Sequence, residues 1–504
     1  MKELLKSAAI VSLSIFSSRL LGLVRDVVIA TLFGAGVLTD VFFVAFRVPN
    51  LLRRIFAEGA FNSAFVPAFT KKLRSSFKEA VQFAGSFFTL LLSFLILTLI
   101  LGEVFAPYIV KLIAPGFKGD SFYLAVKLLR ELFPYILLVS LVAFMGGILN
   151  SLNHFFAPAF STTLFNLSMV LCALSLSNYL SIESLSVGVI LGGILQVLLQ
   201  VYFLKKLSFP LKPVFKVTSD VLRTLKNTVP GIFGFAVRQF SMLIDTVIAS
   251  FLTSGAISYL YYANRFVQLP LGMFAIGLSQ VLLPRFSSKE DRKDLRRELL
   301  DGLALCSTII VPSAVGLVFF GKPIVDIVFN HGKFTVEALN GTYGVLVGYS
   351  VGLFFFSLEK IFTNAFYSIE EFKLPVYVSA GTLIFNLFAD LVLCFVLGLG
   401  APGLALGTSL TSLLNLLLLS FFLSKRLNYS LFLSIWRLGL KYLIFSVPVG
   451  IVSYFGSLIY FSRSSFGFKL TVLIGTILFS SLAYFSLLFL FKDRVLLAFL
   501  KKEV

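Results

Sequence analysis

The sequence predicts an all-α, polytopic membrane protein of about 14 transmembrane helices. Three observations carry this fold class. First, the 504-residue chain is 58% hydrophobic and 13% charged, with mean hydropathy +0.97; a water-soluble core cannot hide that much apolar side chain. Second, several stretches run about 20 residues with few or no charges, long enough to cross ~30 Å of hydrocarbon. "FAGSFFTLLLSFLILTLILG" (83–102) is the plainest. Third, the ~10-residue alternating segments of a membrane β-barrel are absent.

Apolar windows place the spans near 8–33, 40–68, 81–111, 123–151, 156–179, 184–205 and 220–252. The series continues at 256–284, 300–329, 340–369, 374–398, 401–424, 438–461 and 467–491. The first segment is too long, and too charged at its centre, for a cleaved signal peptide. The second contains Pro49, which should kink it. The connections separate into two classes. Even-numbered ones hold Lys71, Lys72, Arg74 and Lys78, then Lys205, Lys206, Lys212 and Lys216. The run "RFSSKEDRKDLRRE" (285–298), Lys425 and Arg426 follow on the same side, and the C-terminus adds Lys492, Arg494, Lys501 and Lys502. Odd-numbered ones are sparse; "TSGAIS" (253–258) and "GLGAPG" (398–403) carry no charge. Lys and Arg collect in cytoplasmic loops, so both termini are expected in the cytoplasm. That also explains the net charge of +19 without nucleic acid, for which no long basic soluble segment exists.

The chain repeats itself. "RDVVIATLFGAGVLTDVFFVAFRVPN" (25–50) parallels "IDTVIASFLTSGAISYLYYANRFVQLP" (244–270). Asp26 aligns with Asp245, Gly36 with Gly255, Arg47 with Arg265 and Pro67 with Pro284. "SLNHFFAPAFSTTLFN" (151–166) parallels "SIEEFKLPVYVSAGTLIFN" (368–386) at an offset of 217–220. That length holds six spans. Six is even, so both copies enter the membrane in one orientation, as parallel repeats that build transporters do. The expected organisation is a first lobe at 1–216, a second at 217–426, and a C-terminal helix pair at 427–504 outside the duplication.

Charges inside the spans are the functional signal. "RLLGLVRDVVIATLFGAG" (19–36) places Arg19, Arg25 and Asp26 in an apolar helix, where each charge costs roughly 2.5–3.5 kcal/mol at mid-bilayer. At 100° per residue, Ser18, Arg19, Gly22, Arg25 and Asp26 share an arc of about 120°. The second span adds Asp40, Arg47, Arg53, Arg54 and Glu58. Five arginines face three carboxylates across these two helices. Pairing among themselves, or a position at the cytoplasmic edge, accounts for part of the set. A cationic, water-filled cavity for an anionic substrate accounts for the surplus. Arginine suits phosphate because its planar fork donates two hydrogen bonds at once.

The second lobe is less basic. Arg265 stands among Asn264 and Gln268. Asp245, Asn386, Asp390 and Thr408 are oxygen carriers in apolar helices, and Asn386 and Asp390, four apart, share a face. Such oxygens hold a small hard cation or a proton; a polar contact between helices is the plainer reading. His154 and His331 lie near loops, with no zinc motif, Walker A or nucleophile elbow nearby. No catalytic residue, no enzyme activity and no bound cofactor is therefore expected. Cys172, Cys306 and Cys394 lie in apolar stretches without a CxxC pair, as small buried hydrophobes.

"SRLLGLVRD", "TDVFFVAFRVPNLLRRIFAEGAFNSAFVPAF" and "YYANRFVQLPLGMFAIGLSQVLLPRFS" closely resemble the MurJ (MviN) family of bacterial lipid II flippases. That family lies within the multidrug/oligosaccharidyl-lipid/polysaccharide exporter superfamily. The resemblance covers nearly the whole chain. It implies two six-helix lobes, plus a terminal pair forming a groove for a long lipid tail. It implies transport of lipid II from the inner to the outer leaflet of the bacterial inner membrane, for peptidoglycan and cell-wall synthesis, in contact with membrane lipid and with cell-wall synthesis machinery. It implies substrate binding by Arg19, Arg25, Arg53 and Arg265. Gating or cavity ordering would fall to Asp40 and Glu58, with Asp26 and Arg54 beside them. A sodium site would comprise Asp245, Asn386, Asp390 and Thr408. Asn264 and Gln268 depart from the acidic residues expected beside the eighth-helix arginine. Two further readings share the scaffold: a cation-coupled multidrug antiporter, which should favour an acidic cavity, and a flippase for another lipid-linked oligosaccharide. A membrane scaffold would not need mid-span arginines.

Overall fold

The computed structural model describes residues 2–53, 60–216, 218–289 and 291–500, with side chains described outside 2–10, 12, 15, 52–53, 60–63, 227–240 and 498–500. Among the described residues every regular element is helical. The chain forms two compact units, Met1–Ser254 and Gly255–Val504.

The first unit begins with α1 (Lys2–Phe33), α2 (Val37–Arg53) and α3 (Ala60–Ser75). There follow α4 (Phe77–Ile113), α5 (Asp120–Leu132), α6 (Pro134–Ser151), α7 (Phe156–Leu180), α8 (Glu183–Lys206) and α9 (Ser219–Ala249). The expected fourth span is α5 plus α6, and Pro134, which lacks a backbone N–H, stands at their junction. The core of this unit is aromatic. Phe65 of α3 sits 5.0 Å from Phe144 of α6 and 5.2 Å from Phe87 of α4, centroid to centroid, spacings at which aromatic pairs attract beyond their buried area. α7 and α8 pack backbone to backbone through small residues: a Cβ at Gly188 would lie 2.9 Å from Met169 Cα. Close approach of this kind drives helix association where lipid removes the hydrophobic incentive. α9 packs on α3 and α4, so the compact unit extends to Ser254, past the repeat boundary at 216.

The second unit begins with α10 (Ala256–Pro270) and α11 (Gly277–Ser287), joined by a π-helical turn at Leu271–Ile276. Next are α12 (Arg292–Phe329), α13 (Val336–Ser368), α14 (Lys373–Leu391), extended by a π turn at Val392–Val396, and α15 (Ala401–Leu427). It ends with α16 (Leu431–Phe445), α17 (Val447–Tyr460), α18 (Phe466–Leu490) and α19 (Arg494–Leu500). Two boundaries differ from the apolar windows. α12 starts at Arg292 rather than 300 because Leu295 and Leu299, one turn apart, bury one face of the charged run. α16 starts at Leu431 because Leu431 and Ile435 are buried while Arg437 stays exposed, the amphipathic pattern of a helix end at an interface. The thirteenth span is bent by 45° between α16 and α17. Pro448 stands in the first turn of α17, where no N–H can continue the ladder.

Ten helices among the described residues are long and apolar enough to cross a membrane, and up to eleven if the bent pair is one span. The other three expected spans coincide with α1, with α2 and α3, and with α9.

The repeat is written into the backbone turns. α6 ends with Asn153 at φ 60° and His154 N–H donating to Leu149 O at 2.8 Å. At 217 positions further on, α13 ends with Glu370 at φ 62° and Glu371 N–H donating to Phe366 O at 3.0 Å. Both are left-handed caps of the Schellman type. The same motif closes α8 at Ser208 (φ 55°) and α15 at Asn428 (φ 50°), 220 positions apart. Asparagine tolerates this conformation and glutamate does not. Glu370→Asn should therefore raise the thermal midpoint in detergent, by about 1 kcal/mol of stability. An unchanged midpoint would show that Glu370 carries no strain.

Candidate functional site

The charged face of α1 splits in two. Arg25 is buried. It donates to Asp26 Oδ1 through Nη2 at 2.8 Å and Nε at 3.1 Å, and to Asn166 Oδ1 of α7 through Nη1 at 3.0 Å. Asn166 Nδ2 in turn donates to Ser18 O at 3.0 Å. Gly22 lies beside this amide, where a Cβ would rest in ordinary contact with Asn166 Nδ2 at 3.6 Å. Asp26 is 1% exposed, and so buried a carboxylate needs its cation. Arg25 and Asp26 are thus a polar clamp between α1 and α7.

Arg19 is six residues earlier, about 120° round the helix, and its side chain is exposed. It lines a cavity of about 550 Å³ with Ser18 of α1, Asn150 of α6, and Phe155, Pro158 and Thr162 at the start of α7. No described residue pairs with it ionically. A full cation at the wall of a largely apolar cavity is the chemistry that attracts an anionic head group.

The remaining predicted residues divide by place. Asp40 is buried in the first turn of α2, where a negative charge suits the positive end of the helix dipole. Arg47 Nη1 donates to Met242 O of α9 at 2.6 Å. The side chain of Arg53, and Arg54 and Glu58 entirely, lie outside the described residues. In the second unit, Arg265 of α10 folds back over the Tyr261 ring, 4.7 Å from its centroid, and donates to the Tyr261 hydroxyl. Asn264 beside it is half-buried and Gln268 exposed.

Asn386 and Asp390 of α14 are both fully buried. The Asp390 carboxylate points at Gly407 of α15, where any Cβ would collide with Oδ1. Thr408, next in the chain, donates to Leu404 O at 3.0 Å and keeps its lone pairs. Asp245 belongs to the first unit and these three to the second. The donor set of Asn386, Asp390 and Thr408 is all oxygen, which fits a hard cation. Among the described residues no group of three or more His, Cys, Asp or Glu could hold a metal ion.

His154 stacks on Phe203, 4.3 Å between centroids; burial and the Lys206 cation hold its imidazole below the usual pKa. His331 bonds Ile327 O at the end of α12. Cys172, Cys306 and Cys394 are buried and form no disulfide among the described residues. Sequence reasoning passed over three intramembrane polar residues. These are Asn166, Glu359, which accepts from Ser412 Oγ at 3.0 Å, and Asp326. Asp326 of α12 accepts from Lys469 Nζ of α18 at 2.7 Å, Tyr460 of α17 at 2.9 Å and Asn330 at 2.6 Å. A carboxylate within an apolar helix was the available signal for the last two.

Comparison with known proteins identifies the family and the fold. The family described as "Lipid II flippase MurJ" matches residues 29–476. A Buchnera aphidicola protein named "Probable lipid II flippase MurJ" is 40% identical over 438 residues, covering 85% of each chain. A Burkholderia cenocepacia protein, "Lipid II flippase MurJ", is 36% identical over 422 residues, covering 81% of each. The solved structure "Lipid II flippase MurJ, inward closed conformation" superposes with TM-score 0.81 at 30% identity, over 96% of this chain and 99% of that one. An inward-facing multidrug resistance transporter of the MATE family and MOP superfamily matches with TM-score 0.68 at 14% identity, over 82% of this chain and 94% of that one, which is a likeness of fold alone. With family-wide sequence agreement across both units and the fold that accompanies it, this chain belongs to the lipid II flippase MurJ family.

Proposed function

We propose that this protein carries lipid II from the inner to the outer leaflet of the bacterial inner membrane by alternating access, supplying peptidoglycan synthesis. Family membership over 29–476 is the observation that carries the reading. The cavity beside Arg19 supports it physically, because an exposed cation in an apolar wall suits a pyrophosphate. Arg19 is the direct contact in this reading, and Arg53 and Arg265 join it when the head group is enclosed. Arg25 acts as a positioning residue, since its guanidinium already bonds Asp26 and Asn166. Asp26, Asp40, Arg54 and Glu58 order the cavity and gate it.

The working lobes in this proposal are 1–216 and 217–426, with α9 the first helix of the second. The pair at 427–504 is a groove for the lipid tail. Both termini are cytoplasmic, following the Lys and Arg bias of the even-numbered loops. Asn386, Asp390 and Thr408, with Asp245, would hold a sodium ion whose binding supplies a charge-dependent bias between states. A charge crossing the field is worth ~2.3 kcal/mol per 100 mV, enough to reset lobes separated by a few kcal/mol. No chemical step on the substrate is involved, and cell-wall synthesis machinery receives the product. The antiporter reading has no observation of its own: the cavity wall carries an arginine rather than a carboxylate.

The test is lipid II translocation in proteoliposomes, with sodium and membrane potential varied separately. Translocation above protein-free vesicles is the expected result. Translocation of cationic amphiphiles with none of lipid II would overturn the proposal.

A further inference from the structure

The α17–α18 turn gathers cations that the transport cavity does not use. Lys469 is held in place by Asp326, with Tyr460 on the same oxygen. Its ammonium lies 5.9 Å from the centroid of Phe461, and Lys322 of α12 reaches the same ring at 5.6 Å. Arg463, two residues on from Phe461, lies over Phe468 at 5.3 Å. Lys322 and Arg463 have no carboxylate partner among the described residues, so one acidic group, Asp326, faces three cations. The cluster borders the start of α18. Ser465 makes no side-chain cap bond there, so the first N–H groups of this 25-residue helix take no acceptor from it. Phe461 and Phe466 are exposed, at 44% and 60%, as aromatic residues at a membrane interface are.

We propose that Lys322, Arg463 and Lys469, with the N-terminus of α18, bind the phosphate of a lipid head group. A soluble anion would not need the exposed aromatic rim. A lipid does, because its acyl or polyprenyl chain continues into the apolar region as its phosphate meets the cations. Asp326 serves as a positioning residue, fixing Lys469 before the ligand arrives. Only the leaflet depends on the transport proposal: with both termini cytoplasmic, this turn meets the outer leaflet.

The full-length protein in neutral detergent can be titrated with phosphatidylglycerol and, separately, with a polyprenyl pyrophosphate, with bound lipid read by native mass spectrometry. The variants are Lys322→Gln and Arg463→Gln, which break no ion pair of the fold, and Lys322→Arg, which keeps the charge. Each neutralisation should weaken binding about fivefold, corresponding to about 1 kcal/mol per basic group near a membrane surface, while Lys322→Arg binds as the parent does. A loss confined to phosphatidylglycerol identifies a bulk lipid, a loss confined to the pyrophosphate identifies the cargo, and either supports the site. Unchanged affinity for both lipids overturns it, as does a loss in Lys322→Arg equal to that in Lys322→Gln. The assay reads binding without transport, so a failure of lipid II translocation leaves its outcome independent.

Discussion

Arg19→Ala is expected to reduce lipid II translocation in proteoliposomes by roughly 10–100-fold, with the thermal midpoint in detergent unmoved. A hydrogen bond to a charged group is worth about 1.5–3 kcal/mol, and each 1.4 kcal/mol is tenfold. Arg19 supplies that interaction from an exposed position on the cavity wall and closes no ion pair among the described residues, so its removal should touch transport alone. Arg19→Lys should recover only part of the rate, because an ammonium lacks the two-pronged geometry of the guanidinium. Normal translocation in Arg19→Ala would remove this cavity from the transport route. Arg25→Ala would be a poor substitute for the experiment. It strips the cation from Asp26, 1% exposed, and breaking a buried pair from one side costs about 3–5 kcal/mol. Transport lost in that variant would follow from lost folding.

Asp326→Ala is expected to destabilise the protein by about 3–5 kcal/mol for the same reason. Asp326 is 5% exposed and takes bonds from Lys469, Tyr460 and Asn330. Its removal leaves the Lys469 cation, 22% exposed at the side chain, against an apolar wall. Tyr484 donating to Thr308 O at 2.6 Å is then the remaining polar tie between α18 and α12. Asp326→Leu combined with Lys469→Leu should lose less than Asp326→Ala alone, because no cation is left without its carboxylate, while the Tyr460 hydroxyl and the Asn330 amide lose their acceptor in both variants. The reading is the thermal midpoint of detergent-solubilised protein. An Asp326→Ala variant that melts with the parent would show that the terminal helices are held by apolar packing, such as Val449 and Tyr484 against Val311.

Much of the helical framework could be read from composition. Among the described residues the apolar windows coincide with helix, and the duplication inferred from Asp26 and Asp245 reappears as left-handed caps at Asn153 and Glu370. Local interruptions were less legible. The π turn after Pro270 and the bend before Pro448 sit at residues that lack a donor, and Pro49 stands inside α2 without interrupting its helix assignment. At the site, Asn386 and Asp390 were legible as one face because they are four apart on one helix. Asn166 was not, because its partner Arg25 lies 141 residues away on another helix.

The sequence by itself determined that the protein is a bundle of membrane-spanning helices, that it is duplicated, and that its first two spans carry five arginines against three carboxylates. Those properties are written in residue type and spacing along one chain. Tertiary structure alone decided that Arg25 is clamped to Asp26 and Asn166 while Arg19 faces a cavity. Helical periodicity sets the angle between two side chains about their own axis. It says nothing of which neighbouring helix, or which empty space, stands at that angle. In α1, Arg25 meets Asn166 within α7, and Arg19, six residues earlier, meets the cavity beside the start of α7.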